Sequence, residues 1–213
     1  MGIGVGDGVV RGIAVSVPRD AVLRRMGMGP SAAVPGRLAE LVVRGMEAGN
    51  RMAAPAAVRE TMQIGRCAGG VVTFAGSDFE IRSEDVARVL SPCARATLIG
   101  ATIGGGISAA VSGLMDSKAM TEALILDAYG SEAVEAVVEA VVDRLEKEAA
   151  GEGFELTRRF SPGYGDWPLQ AQHGALKEMG AARIGISAND RCILAPEKSV
   201  TAVVGWAAGG GKR

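Results

Sequence analysis

The sequence predicts an α+β fold, an antiparallel sheet with helices packed around it, and three observations carry that expectation. Candidate strands cluster in blocks, near 60–74 and again near 184–206, instead of alternating singly with helices as a parallel sheet requires. One segment, Ser131 to Ala150, has the clearest helical period in the chain: Val134, Val137, Val138, Val141, Val142 and Leu145 share one face, and Glu132, Glu135, Glu139, Asp143 and Glu146 lie mainly off it. At 213 residues, 48% of them hydrophobic, the chain is sized for a single core. The expected organisation is a flexible N-terminus over 1–8, one domain over 9–207 and a flexible tail over 208–213.

In chain order, residues 9–17 read as a short entry strand ended by Pro18. Arg19 to Met26 reads as a helix, and Arg37 to Met52 as a second one, with Leu38, Leu41, Val42 and Met46 at helical spacing. After a connection over 53–59, residues 60–67 and 71–74 read as strands, and 77–81 as a turn and a further strand. Ser83 is placed to cap a helix whose first turn carries Glu84 and Asp85, acids suited to the positive helix end, and Pro92 stops it. Cys93 reads as a buried small residue, because nothing near it in sequence would activate a thiol.

Residues 98–103 read as a strand, followed by Gly104-x-Gly106-x-x-Ala109, the spacing of a dinucleotide fingerprint, with Asp127 about 20 residues on. An NAD(P)-binding oxidoreductase using the 104–109 glycine loop is therefore one functional alternative, although the loop sits mid-chain rather than in a first βα unit. The uncharged run 96–115 is long enough to span a bilayer, yet its glycines favour a buried strand, a turn and a buried helix. Ser131 is expected to cap the helix over 131–150, and Gly151 with Gly153 to end it. Phe154 to Arg158 reads as a strand. Leu169, Gln172, Leu176 and Met179 follow a helical spacing that Gly180 ends, with the sole histidine, His173, at a surface or structural position. Residues 184–186, 192–194 and 199–206 are expected as three strands of an antiparallel meander.

Charge and composition exclude several functions. Lys+Arg 23 against Asp+Glu 24 leaves no basic excess for nucleic acid. Three scattered cysteines make neither a disulfide framework nor a zinc ribbon, and one histidine without a G-x-S-x-G elbow gives no basis for a Ser-His-Asp device. The glycine-rich start lacks the regions of a signal peptide, so a reducing cytoplasm is the expected location.

The remaining feature is the stretch Arg158 to Gln172. Three of the chain's eight aromatics, Phe160, Tyr164 and Trp167, fall here, interrupted by the turn formers Pro162-Gly163 and Gly165-Asp166. Two readings of these residues stand side by side: a structural corner with solvated arginines, or a binding loop in which a guanidinium meets a carboxylate or phosphate beside exposed backbone.

Arg159-x-x-x-Gly163-Tyr164 resembles the R-x-x-x-G-Y motif of the activation (reactivation) domain of cobalamin-dependent methionine synthase, and Ser-Pro-Gly-Tyr-Gly-Asp-Trp-Pro-Leu is closer to small stand-alone relatives of that domain. Ala101 to Gly104, Ala123 to Glu135, where the resemblance implies helix over 123–128, and Leu194-x-Pro196-x-Lys198-Ser199 are also similar to that family, so the resemblance runs from about Arg19 to Trp206. The fused synthase continues G-Y-x-A-C-P-x-H, where this chain has Asp166, Trp167 and Gln170, so contacts at those positions do not carry over.

The resemblance implies an activation-domain fold and S-adenosylmethionine as the cofactor, bound by Arg159, Ser161, Pro162, Gly163, Tyr164 and Gly165, with no metal and no catalytic side chain. It implies an accessory component for reductive methylation of a methionine synthase or related methyltransferase. With no D-x-H-x-x-G sequence in the chain, cobalamin is expected on a corrinoid-binding partner, docked beside Tyr164, and electrons from a flavodoxin or ferredoxin. Arg159 is expected to line a concave site, and Arg158 to point elsewhere. A non-catalytic interaction module is the other alternative.

Overall fold

The protein is described by a computed structural model over residues 8–29 and 34–209. Of the loose ends expected over 1–8 and 208–213, residues 1–7 and 210–213 lie outside the described residues. At the described edges, the Gly8 carbonyl accepts from Arg59 N–H and Gly209 N–H donates to the Gly153 carbonyl, both at 2.9 Å.

The main sheet is built from β1 (Val9–Arg11), β2 (Ala56–Ala68), β3 (Val71–Phe74), β4 (Glu80–Arg82), β5 (Cys93–Thr102), β6 (Phe154–Leu156) and β9 (Ser199–Ala208). Its order is β4-β3-β2-β5-β9-β6, with β1 also on β2, and every ladder is antiparallel. β5 and β9 lie at the centre and are buried along most of their length. Alternation along them sends residues to two cores. Ile99, Ala101, Val204 and Trp206 join the helix α5 (Met120–Gly151) on one face, while Ala96, Leu98 and Val203 join α3 (Glu84–Leu90) and α6 (Ala171–Glu178) on the other. The α+β expectation, an antiparallel sheet with helices around it, therefore holds.

The helices α1 (Arg19–Arg25), α2 (Gly36–Met52) and α4 (Gly106–Asp116) pack on α5. Glycine makes the α2 contact possible: a Cβ on Gly45 would stand 2.5 Å from Ile125, and one on Gly49 2.3 Å from the Tyr129 ring. Ser83 caps α3 as expected, accepting from Val86 N–H.

Several local expectations are corrected. The entry strand stops at Arg11, because Gly12 turns the chain with φ +67°. β2 starts at Ala56, where small apolar residues pair with both β1 and β5. Helix α4 is amphipathic rather than buried, with Ile107 and Val111 inside and Met115 exposed. Ser131 is no cap: α5 runs unbroken for 32 residues, and the Ser131 hydroxyl donates back to the Asp127 carbonyl at 3.1 Å. Gly130 survives inside this helix because a Cβ there would come within 2.9 Å of Ile107 and 3.4 Å of Lys198.

The C-terminal meander is also not formed. Ala181–Ile184 is a short 3-10 helix, and β7 (Ser187–Ala188) pairs with β8 (Leu194–Ala195) in a ribbon of its own. β9 leaves that ribbon and inserts between β5 and β6, where its run Val200 to Trp206 can be covered on both faces.

The fingerprint reading fails on topology. β5, the strand before Gly104, has antiparallel neighbours on both sides, and Asp127 lies inside α5 rather than at a strand end, paired with Lys198 Nζ at 2.6 Å. The glycines serve packing instead: a Cβ on Gly106 would meet the Met52 carbonyl at 3.1 Å, and one on Gly104 the Ala54 methyl at 3.3 Å.

Candidate functional site

A cleft of about 490 Å³ opens where α5, the segment after β6, α6 and the start of β9 converge. Arg158, Arg159, Phe160, Ser161, Pro162 and Tyr164 form one wall. Glu135 of α5, Gln172 of α6, Leu194, and Ser199 to Thr201 of β9 form the remainder.

The arginine wall owes its shape to an irregularity. β6 pairs regularly with β9 up to Leu156–Trp206, and pairing resumes at Phe160–Val203, so three residues stand opposite two. Thr157 fills the break by accepting Gly205 N–H on its hydroxyl at 2.8 Å. This bulge corrects the expectation that Arg158 points away, since both arginines line the cleft. Arg159 Nη2 donates to Glu135 Oε2 at 2.6 Å, each side chain about one-third exposed. Arg158 instead lies over the Phe160 ring, 5.7 Å from its centre.

The loop beyond Phe160 is a compact turn. Tyr164 N–H donates to the Ser161 carbonyl at 3.2 Å, Gly163 N–H to the Trp167 carbonyl at 2.8 Å, and Trp167 N–H to the Tyr164 carbonyl at 3.1 Å. Gly163 and Gly165 have φ of +89° and +56°, and a Cβ on Gly165 would meet Asp85 Oδ2 at 2.6 Å. Of the sequence-predicted site residues, Arg159, Ser161, Pro162 and Tyr164 line the cleft; Gly163 and Gly165 shape the turn behind it. Tyr164 is 70% exposed, whereas Trp167 is fully buried in the α3/α6 core.

Asp166 leaves the cleft and caps α3. Its carboxylate accepts the Ser83 hydroxyl, Glu84 N–H at 2.7 Å and Asp85 N–H at 3.3 Å. The Ser83 hydrogen bond, with those from the Glu84 and Asp85 backbone, holds the Asp166 carboxyl below the usual carboxylate range.

On the opposite wall, buried Gln172 accepts from Thr201 Oγ1 at 3.0 Å and donates to the Cys192 carbonyl at 2.8 Å, tying α6 to β9 and to the ribbon loop. Sequence reasoning assigned no role to Glu135, Gln172, Ser199 or Thr201. A polar Gln172 among Leu169, Leu176 and Met179 on one helical face was the available signal. His173 is exposed, and no group of three metal-ligating side chains occurs among the described residues. Among those residues no helix is long and apolar enough to cross a membrane.

The cleft thus offers a guanidinium and a carboxylate side by side, a neutral polar wall and an exposed aromatic. That set suits recognition of a zwitterionic amino-acid group attached to a larger polar body. No protein-family model matches the sequence, and comparison with curated proteins finds no match. Among solved structures 13 chains match. One is the crystal structure of the MetH reactivation domain bound to AdoHcy, at 12% identity and a TM-score of 0.57, covering 94% of this chain and 72% of that one. At that identity the similarity is one of fold.

Proposed function

We propose that the cleft binds S-adenosylmethionine and that the chain acts as a stand-alone component for the reductive methylation of a corrinoid-dependent methionine synthase or related methyltransferase. The observation that carries this reading is the Arg159–Glu135 pair at the edge of the R-x-x-x-G-Y loop. A guanidinium takes the ligand's α-carboxylate and the adjacent glutamate its α-ammonium, so the pair already present in the free protein has the polarity of the zwitterion it would receive. The fold shared with a reactivation domain crystallised with AdoHcy supports the ligand class.

In this role the chain's own residues hold and aim the ligand. Arg159 and Glu135 fix its amino-acid end, and the Ser161 to Tyr164 wall with Gln172 and Thr201 encloses the remainder, leaving the exposed Tyr164 edge toward a partner. The ligand supplies an activated methyl on its sulfonium. Cobalamin would be held by the partner as the methyl acceptor, with electrons drawn from a donor such as a flavodoxin or ferredoxin in the cytoplasm. No acid or base of this chain is required, because methyl transfer depends on placement of the donor against its acceptor.

Calorimetric titration with S-adenosylmethionine, AdoHcy and NAD tests the ligand: the first two are expected to bind and NAD not to. The role is tested by following the cob(II) absorbance of candidate corrinoid proteins with S-adenosylmethionine and reductant. Absorbance loss that depends on this chain supports it; equal loss without the chain across all partners refutes it.

A further inference from the structure

The loop that forms one wall of the cleft is tied down at its far end by a residue that does not line the cleft. Phe160 pairs with Val203 on the near side, and on the far side Asp166 reaches α3, more than eighty positions away in sequence. Helix α3 is itself fixed, since Val86, Ala87 and Leu90 are buried in the core. Its first-turn N–H groups are shared between a local and a remote acceptor: Ser83 Oγ takes Val86 N–H at 3.0 Å, while the Asp166 carboxylate takes those of Glu84 and Asp85 and the Ser83 hydroxyl proton.

We propose that Asp166 is a positioning residue of the cleft: by latching the loop 161–165 to the start of α3 it sets the Ser161, Pro162 and Tyr164 wall before ligand arrives. The proposal rests on the S-adenosylmethionine reading above. A loop ordered in advance does not charge its ordering entropy against binding, so affinity depends on the latch although the latch does not touch the ligand. The surroundings favour this use of a carboxylate. Glu84 and Asp85 stand beside it and Arg88 is engaged by Asp85 at 2.9 Å, so backbone N–H groups and the Ser83 hydroxyl are what hold Asp166. Gly165 holds a left-handed φ of +56° where a Cβ would lie 2.6 Å from Asp85 Oδ2 and 3.1 Å from Phe160 Cζ. An amide at 166 would keep one acceptor and turn its NH₂ toward a donor N–H.

The test must separate a latch on the loop from a cap that merely stabilises α3. Asp166→Asn weakens the latch and Asp166→Ala removes it. Asp166→Ala leaves the Ser83 cap on Val86 N–H in place; adding Ser83→Asp turns that local cap into a carboxylate that can take the Asp85 and Val86 N–H groups and meet the positive helix end, without reaching the loop. Melting temperature, affinity for S-adenosylmethionine, and hydrogen exchange at the Gly163 and Trp167 amides are measured for each. The expected result is that the double variant recovers melting temperature yet keeps fast loop exchange and an affinity about tenfold or more below the parent. Recovery of affinity together with stability reduces Asp166 to a helix cap, and unchanged loop exchange in Asp166→Ala overturns the latch outright. If the parent itself fails to bind, the ligand reading falls, and the exchange data still decide whether Asp166 holds the loop.

Discussion

Replacing Arg159 by alanine separates the motif arginine's role in binding from its role in folding. In the free protein its guanidinium meets Glu135 at 2.6 Å with 32% of the side chain exposed, a half-wet ion pair of the kind that contributes about 0–1 kcal/mol to stability. Loss of that pair is expected to lower the melting temperature by no more than about 2–4 °C for a domain of this size. Ligand affinity should respond more. A charge-assisted hydrogen bond to the ligand carboxylate is worth about 1.5–3 kcal/mol, and the exposure of Arg159 argues for the middle of that range, about 2 kcal/mol or roughly thirtyfold in Kd. The variant also leaves Glu135 facing the incoming carboxylate without its cation, which adds to the loss. A cycle with Glu135→Gln isolates this term: the double variant should lose less than the sum of the singles, because removing the glutamate's charge removes the repulsion. Calorimetry with AdoHcy, run beside thermal melts, measures all four proteins. Unchanged affinity in Arg159→Ala, with the parent binding, refutes the assignment of the carboxylate to this guanidinium.

Gly165→Ala forces a side chain into a left-handed position beside Asp85 and Phe160, and should cost about 1–2 kcal/mol in urea unfolding while loosening the same wall of the cleft. An unchanged unfolding midpoint contradicts the turn geometry. Burial, with the neighbouring Cys67, pushes the Cys93 thiol up to about 11. Because the unfolded thiol ionises from about 9, the contribution of Cys93 is fully present below that pH and is lost as pH rises toward 11. Urea midpoints across that window should fall for the parent and fall less for Cys93→Ala; parallel curves for the two proteins contradict the burial argument.

Sequence by itself determined the features that neighbouring residues encode. Hydrophobic period placed α2, α6 and the inner face of α5, Ser83 announced the start of α3, and the turn formers after Phe160 announced a compact loop. Each depends on interactions a few residues apart, so spacing and propensity suffice. The family resemblance carried by Arg159-x-x-x-Gly163-Tyr164 implied six binding residues, of which Arg159, Ser161, Pro162 and Tyr164 line the cleft.

Only the tertiary structure decided which distant groups meet. Gly130 and Ser131 signal a helix start locally, yet packing against Ile107 and Lys198 carries α5 straight through them. The glycine loop after β5 has the spacing of a nucleotide site, but antiparallel neighbours make it a packing device. Arg158 joins Arg159 because one extra residue bulges opposite β9, a mismatch of register that neither strand shows alone. Glu135 meets Arg159, and Asp166 caps α3, across separations that no local pattern encodes. The physical reason is common to them all: hydrogen bonds and ion pairs of this kind form between groups whose proximity is set by burial of the sheet's two faces, and that burial is a property of the whole chain.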